Sequence, residues 1–303
     1  MTTVLVLGGY GAVGTHLVAA LRTTGITALA GGRDPARADR VIDPAVPLDA
    51  SVDGIDVVVN CAGIEDPALA ADVAGRGIPF VDITATSSYA AALEAVSGPV
   101  LLGVGIAPGL SSLLAVEAAR GGGPVDVAIG LGAGEAHGAA ATAWTYGLAG
   151  KHFLDPDGRR VRNYTRPTRF PLPGYSRFPV LRTDFADQHR LSVDLDVPVR
   201  THLRLDSRLA TVGLAALTWA PWAARWVPAG AMPGGDAWVI AARGASKTVW
   251  ASGRGQSRAT ALVAAEATRL LLSSPVDRPT WLHQITDLAS IAPAFDADAI
   301  RIG

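Results

Sequence analysis

Gly9, Gly11 and Gly14 stand at G-x-G-x-x-G spacing within TVLVLGGYGAVGTHLVAAL. Glycines so spaced suit a backbone that must approach a dinucleotide pyrophosphate. Gly9 would allow a tight turn, Gly11 a close approach and Gly14 the packing of helix on strand. Thr3 to Leu7 is an apolar, β-branched run of strand type, and Ala12 to Arg22 has helical spacing. A helix N-terminus placed there offers free N–H groups and partial positive charge to phosphates. With Tyr10, Ala12 and Val13, the loop from Gly9 to Gly14 is the expected cofactor-binding segment.

A group that grips the adenosine ribose belongs at the end of the second strand, about 20 residues past the glycines. That end reads Gly31–Gly32–Arg33. Arg33 offers a guanidinium fork to a 2′-phosphate. Asp34, the residue that would favour NAD, is placed to cap a helix beginning at Pro35. NADP(H) is therefore the expected cofactor.

Ligands of open parallel sheets sit beyond the carboxyl ends of the strands. That rule selects Asn60, Cys61, Ala62 and Gly63 after one strand, Asp82 and Thr84 after another, and Pro108 in the GIAPG loop. Cys61 is expected to be a small buried hydrophobe rather than a nucleophile. Asp82 could orient water or a reacting group, or bond neighbouring amides. His137, following Glu135 after a further strand, titrates near neutrality when unperturbed and is the candidate proton donor, with a structural histidine as the alternative. Tyr146 and Lys151 are one residue too far apart for the Tyr-x-x-x-Lys pair of short-chain dehydrogenases.

These residues need elements to hold them. Strand and helix patterns alternate from Val4 to about Arg120, which argues a doubly wound parallel sheet. Beyond Gly121–Gly123 the pattern changes. RTHLRLD alternates as a half-exposed strand does, and DAWVIAARGASKTVWASG reads as a hairpin turning at Gly244–Ala245. Gln256 to Leu272 is a long Ala/Leu helix with an apolar stripe at Val263, Ala267, Leu270 and Leu271, and with Glu266 and Arg269 off it. The expected class is α/β. Residues 1–121 form a Rossmann domain, 122–254 an inserted α+β domain with a mixed or antiparallel sheet, and 255–303 return to the Rossmann domain.

The 303 residues carry a net charge of −1, with no basic footprint for nucleic acid. One cysteine excludes an intrachain disulfide framework and multi-cysteine metal sites. The six histidines show no H-E-x-x-H, so no metal is expected. No signal-peptide pattern opens the chain, and a cytoplasmic location is expected. Leu209 to Met232 is nearly all apolar, but Pro221 and Pro228 interrupt it and Trp219, Trp222 and Trp226 sit mid-segment. That argues against a membrane span. A buried helix pair, a subunit interface or an apolar substrate wall is expected, with interfacial membrane contact as a lesser reading. Arg159, Arg160, Arg162, Arg166 and Arg169 read as a solvated basic loop, or as an anion site.

VLGGYGAVG, GGRDP, VVNCAGIEDPAL, GIPFVDIT and GVGIAPGLSSLL together resemble, in order, the landmarks of the saccharopine dehydrogenase-like family. That family includes saccharopine reductases, carboxynorspermidine dehydrogenases and trans-acting enoyl reductases. The resemblance spans Val4 to Leu114, and GQSRATALVAAEATRLLL is similar to the family's returning helix. It implies a Rossmann domain built from both chain ends, an inserted mixed-sheet domain, an active site in the cleft between them and a nicotinamide hydride donor. Ala107 stands where relatives acting on amino acids carry aspartate, so an amino-acid substrate does not carry over. The expectation is an NADPH-dependent reductase of an imine or iminium in a small metabolite of secondary metabolism. A C=C (enoyl) reductase for an apolar or carrier-bound substrate and a non-catalytic NADP(H) redox sensor are the alternatives. The expected partners are a small-molecule substrate and, at most, a second copy of the chain.

Overall fold

Val4, Leu5, Val6 and Leu7 are buried in β1 (Thr3–Leu7), an interior strand of a wholly parallel sheet. Five further strands follow: β2 (Thr27–Gly32), β3 (Arg40–Val41), β4 (Val57–Asn60), β5 (Phe80–Asp82) and β6 (Val100–Leu102). Their spatial order is β6-β5-β4-β1-β2-β3, and Thr280–Trp281 adds a strand beside β6. β4 is buried at every position, as a parallel strand covered on both faces must be. The chain runs outward from β1 through β2 and β3, then restarts on the other side with β4. The strand order thus reverses between β1 and β4, where open α/β sheets bind ligands. Helices α1 (Gly14–Thr23), α2 (Pro67–Gly75) and α3 (Ser87–Glu94) connect the strands. α2 starts where Asp66 accepts the Ala68 N–H at 2.9 Å ahead of Pro67, a capping pair legible in the sequence.

The computed structural model describes residues 2–43, 48–135, 139–174, 179–226 and 234–303. The chain falls into two compact units, Met1–Gly109 with Ser257–Thr286 and Leu110–Gln256 with Asp287–Gly303. The division lies at Gly109 rather than Gly121, because α4 (Leu110–Ala119) packs on the second sheet.

That second sheet contains β7 (Val125–Leu131), preceding α5 (Ala139–Gly147) and a separate hairpin of β8 (His152–Leu154) and β9 (Arg160–Arg162). Then come β10 (Thr165–Thr168), β11 (Val180–Arg182), α6 (Ala186–Asp194), β12 (Val199–Leu205), α7 (Arg208–Leu217), β13 (Ala237–Arg243) and β14 (Thr248–Arg254). The order is β10-β11-β12-β7-β13-β14, with Ile300–Ile302 closing the far edge. Among the described residues only β12 and β7 pair in parallel here, so the sheet is mixed.

Several expectations change here. β12 is not half-exposed: it lies between β11 and β7, and Thr201, His202 and Arg204 are buried along with its apolar residues. The β13–β14 turn spans Gly244 to Lys247, closed by the Gly244 N–H on the Lys247 carbonyl at 2.9 Å. The tail is divided: α8 (Gln256–Ser273) and the strand after it run with the first unit, whereas Asp287–Gly303 belong to the second. On α8 the buried face carries Val263, Ala264, Ala267 and Leu271, while Leu270 is only half-buried. Glu266, expected in solvent, is mostly covered and paired with Arg269. No buried helix pair forms in the described part of Leu209–Met232, since the 3-10 segment Pro221–Trp226 buries no residue. Trp238, by contrast, is a core residue.

Candidate cofactor-binding site

The loop joining β1 to α1 is tight enough that each glycine has a steric reason. Gly8 takes the turn conformation, with φ +70°, so the turn glycine is Gly8 and not Gly9. A Cβ on Gly9 would lie 2.5 Å from the Ala30 Cα of β2, and one on Gly14 only 2.1 Å from the Gly8 carbonyl oxygen. Gly11 is exposed, its N–H donating to that same oxygen at 2.8 Å. The N–H groups of Ala12 and Val13 donate to no acceptor among the described residues, and no side chain caps α1. The loop therefore presents uncompensated donors and the positive end of a helix dipole, which suits a pyrophosphate.

Arg33 follows β2, is exposed, and makes no hydrogen bond or ion pair among the described residues. The nearby acids are both engaged. The Asp34 carboxylate accepts the Ala36 N–H at 3.0 Å, closing a turn rather than capping a helix. Asp39 accepts the Ala30 N–H at 2.9 Å and pairs with Arg22 at 2.8 Å. Tyr10 organises this corner. Its hydroxyl accepts the Asp34 N–H at 3.1 Å, and its ring lies where a Cβ on Gly32 would come within 2.5 Å. Arg37 donates to the Tyr10 carbonyl at 2.9 Å and stacks 4.4 Å above the ring centroid. In the sequence Arg37 shows only as the second arginine of GGRDPARA, and the turn after Asp34 brings it back to Tyr10.

At the carboxyl ends of β4 and β5, Asn60 and Asp82 form one buried network. The Asn60 Nδ2 donates to Asp82 at 2.8 Å and to the Ile64 carbonyl at 2.9 Å, and its Oδ1 accepts the Ala62 N–H at 3.2 Å. Asp82 also accepts the Thr84 N–H at 2.8 Å, the Thr84 hydroxyl, and the Tyr89 hydroxyl at 3.3 Å. Burial raises its pKa, and the bonds from Thr84, Asn60 and Tyr89 work against that rise. With both oxygens engaged, Asp82 holds two loops in place. Of the two roles open to it, orienting water or a reacting group and bonding neighbouring amides, these contacts favour the second.

Ala62 and Gly63 are exposed at this edge, and Ala62 touches the glycine loop: a Cβ on Gly8 would lie 2.8 Å from its Cα. Burial, then the charge of Asp82, pushes the Cys61 thiol up, so it is no thiolate nucleophile. Thr84 is half-buried. In the loop after β6 the Gly105 N–H donates to the Pro108 carbonyl at 2.8 Å. Pro108 is itself buried, so Ala107 rather than Pro108 offers side-chain surface there.

His137 lies outside the described residues. Its neighbour Glu135 accepts the Gln256 N–H at 2.6 Å, which places that carboxylate at the start of α8. The arginine-rich stretch is not a loop: it forms β9 and β10. Burial, and the positive charge of Arg182, hold the His202 imidazole down to about 4, while Arg182 itself pairs with buried Asp155.

No family model and no curated protein matches this sequence. Among solved structures, the chain is similar to saccharopine dehydrogenase (L-Glu forming) from Saccharomyces cerevisiae. The TM-score is 0.63 at 13% identity, covering 100% of both chains. The chain has the saccharopine dehydrogenase-like fold. Slighter likenesses reach aspartate dehydrogenase from Thermotoga maritima (TM-score 0.41, 15% identity, 91% of this chain and 98% of that one). Amine dehydrogenase from Mycobacterium smegmatis scores 0.42 at 12% identity, over 94% and 96% of the two chains. In this fold, a parallel sheet with a glycine loop after its first strand is joined in sequence to a second, mixed sheet.

Proposed function

We propose that the chain is an NADPH-dependent oxidoreductase that reduces a C=N bond in a small metabolite. The observation that carries the cofactor half is the pairing of two features on the parallel sheet. One is the glycine loop with its unbonded Ala12 and Val13 N–H groups; the other is the unpartnered Arg33 beside an Asp34 already bound to backbone. Gly9 and Gly14 let the loop pack tightly on β2 and on itself, and exposed Gly11 leaves room for the pyrophosphate. Arg33, with Arg37 stacked on Tyr10, supplies positive charge for a 2′-phosphate. Asn60 and Asp82 hold the Cys61–Gly63 segment and Thr84 at the sheet edge, where the ribose and nicotinamide would lie.

NADPH supplies a hydride, and an iminium carbon that accepts it becomes a neutral amine with no further proton. That balance suits a site whose buried carboxylate, Asp82, has its oxygens occupied. Ala107 brings no carboxylate to the loop after β6, in keeping with a substrate other than an amino acid. The test is deuterium transfer from stereospecifically deuterated NADPH to a panel of cyclic imines, ketones and enoyl thioesters. Label on the carbon of a C=N bond is the expected result. Label on a C=C carbon would replace that half of the reading, and tight NADPH binding without transfer to any acceptor would make the chain a redox sensor.

A further inference from the structure

The described residues leave one apolar surface uncovered, in the second unit. Trp219, Trp222 and Trp226 are 68, 65 and 71% exposed, and Leu209 and Val212 on the outer side of α7 are exposed as well. Scattered exposed apolar residues need no explanation; this many, within one helix and the turn that follows it, do. A groove of about 400 Å³ runs beside them, lined by Tyr164, Pro167, Leu181, Val212, Ala215 and Trp219.

The exposed charges carried by the two segments that form this surface are mainly positive. Arg160, Arg166 and Arg169 are exposed between Gly158 and Arg182, and Arg225 between Ser207 and Trp226; neither segment contains an aspartate or glutamate, although Asp157 and Asp206 flank them. The two segments are bound together. The Arg162 guanidinium stacks 4.3 Å from the Trp219 ring and donates to the Thr218 carbonyl at 3.4 Å, and the Thr218 hydroxyl donates to the Asn163 carbonyl at 2.8 Å. Arg166 borders the groove, and Arg225 stacks 5.2 Å from the Trp226 ring.

We infer that this face docks on an anionic lipid bilayer. Tryptophans seat at the headgroup level, where one part of the ring is apolar and the rest wet. Arginines among them are drawn to a negative leaflet. A second copy of the chain fits less well. A two-fold contact sets a patch against itself, and here that would oppose arginines with no carboxylate between them. Attachment would be peripheral, since no helix among the described residues is long and apolar enough to cross a membrane.

The full chain is mixed with vesicles of phosphatidylcholine alone, and with vesicles containing about one-third phosphatidylglycerol, and sedimented in low salt. The expected result is at least tenfold stronger partition onto the anionic vesicles, falling as salt screens the attraction. Trp222→Ala with Trp226→Ala should lower partition at least tenfold and remove the vesicle-induced blue shift of tryptophan emission. Arg166→Glu with Arg225→Glu should lower partition comparably. All four residues are exposed, so unchanged thermal unfolding separates lost docking from lost fold. Partition that is absent, or equal in wild type and both variants, overturns the inference. A dimer in sedimentation velocity that the tryptophan variant dissolves, with no vesicle binding, would overturn it in favour of a second copy. An acidic protein bound in place of vesicles would overturn it in favour of that partner.

Discussion

Replacing Asp82 separates a loop-positioning carboxylate from a proton relay. Asp82→Ala removes the acceptor of the Asn60 amide, the Tyr89 hydroxyl and both Thr84 donors. Thr84 is half-buried and can turn to water, but Asn60 and Tyr89 are buried and cannot. A buried donor left unsatisfied costs about 1–3 kcal/mol, so two cost about 2–6. Removing a carboxylate whose burial raises its pKa returns part of that, leaving about 2–4 kcal/mol of destabilisation. Asp82→Asn keeps one oxygen acceptor and should cost about half as much. Urea unfolding, read at constant m, measures both losses. NADPH affinity should fall in the same order, because the Cys61–Gly63 segment loses its anchor. A proton relay behaves differently: Asp82→Asn would leave stability intact while turnover fell about 10²–10⁴-fold. Wild-type stability in both variants would refute the positioning account.

Other outcomes follow from single contacts. Gly14→Ala places a methyl 2.1 Å from the Gly8 carbonyl oxygen and should weaken NADPH at least about tenfold in a fluorescence titration. Leu271→Asp should cost about 3–5 kcal/mol in chemical denaturation and Leu270→Asp distinctly less; equal losses would contradict the register of α8. His202, held down to about 4 in the fold, takes its proton first in the unfolded chain, near the ordinary 6.5. Stability should therefore be full above about pH 6.5 and fall by roughly 3 kcal/mol as pH drops towards 4, a slope that His202→Gln would flatten if it still folds.

Five strands of the first sheet were legible as short, largely apolar runs, and its glycines carry steric signatures in fixed order. The two-residue edge strands Arg40–Val41 and Thr280–Trp281 are too short and too polar to leave such a pattern. The boundary at Gly109 was not legible either. α4 buries Leu110, Leu113, Leu114 and Ala118 together with Ser111 and Ser112, and such a helix has no single stripe to say which sheet it covers. β12 misled for a related reason: the alternation was real, but its polar face is covered, with His202 and Arg204 buried. Arg33 could be read from its place after β2. Arg37 needed the turn that stacks it on Tyr10, and Asp82 needed the network around it, neither of which spacing reveals.

The cofactor claim stands or falls on Arg33. Isothermal titration of wild type and Arg33→Ala with NADPH and with NADH measures its contribution directly. Wild type should prefer NADPH, and the variant should lose about 1.5–3 kcal/mol for NADPH, a rise in Kd of roughly 10- to 150-fold, while NADH changes little. Equal losses for both nucleotides, or a wild type that binds NADH more tightly, would contradict the account.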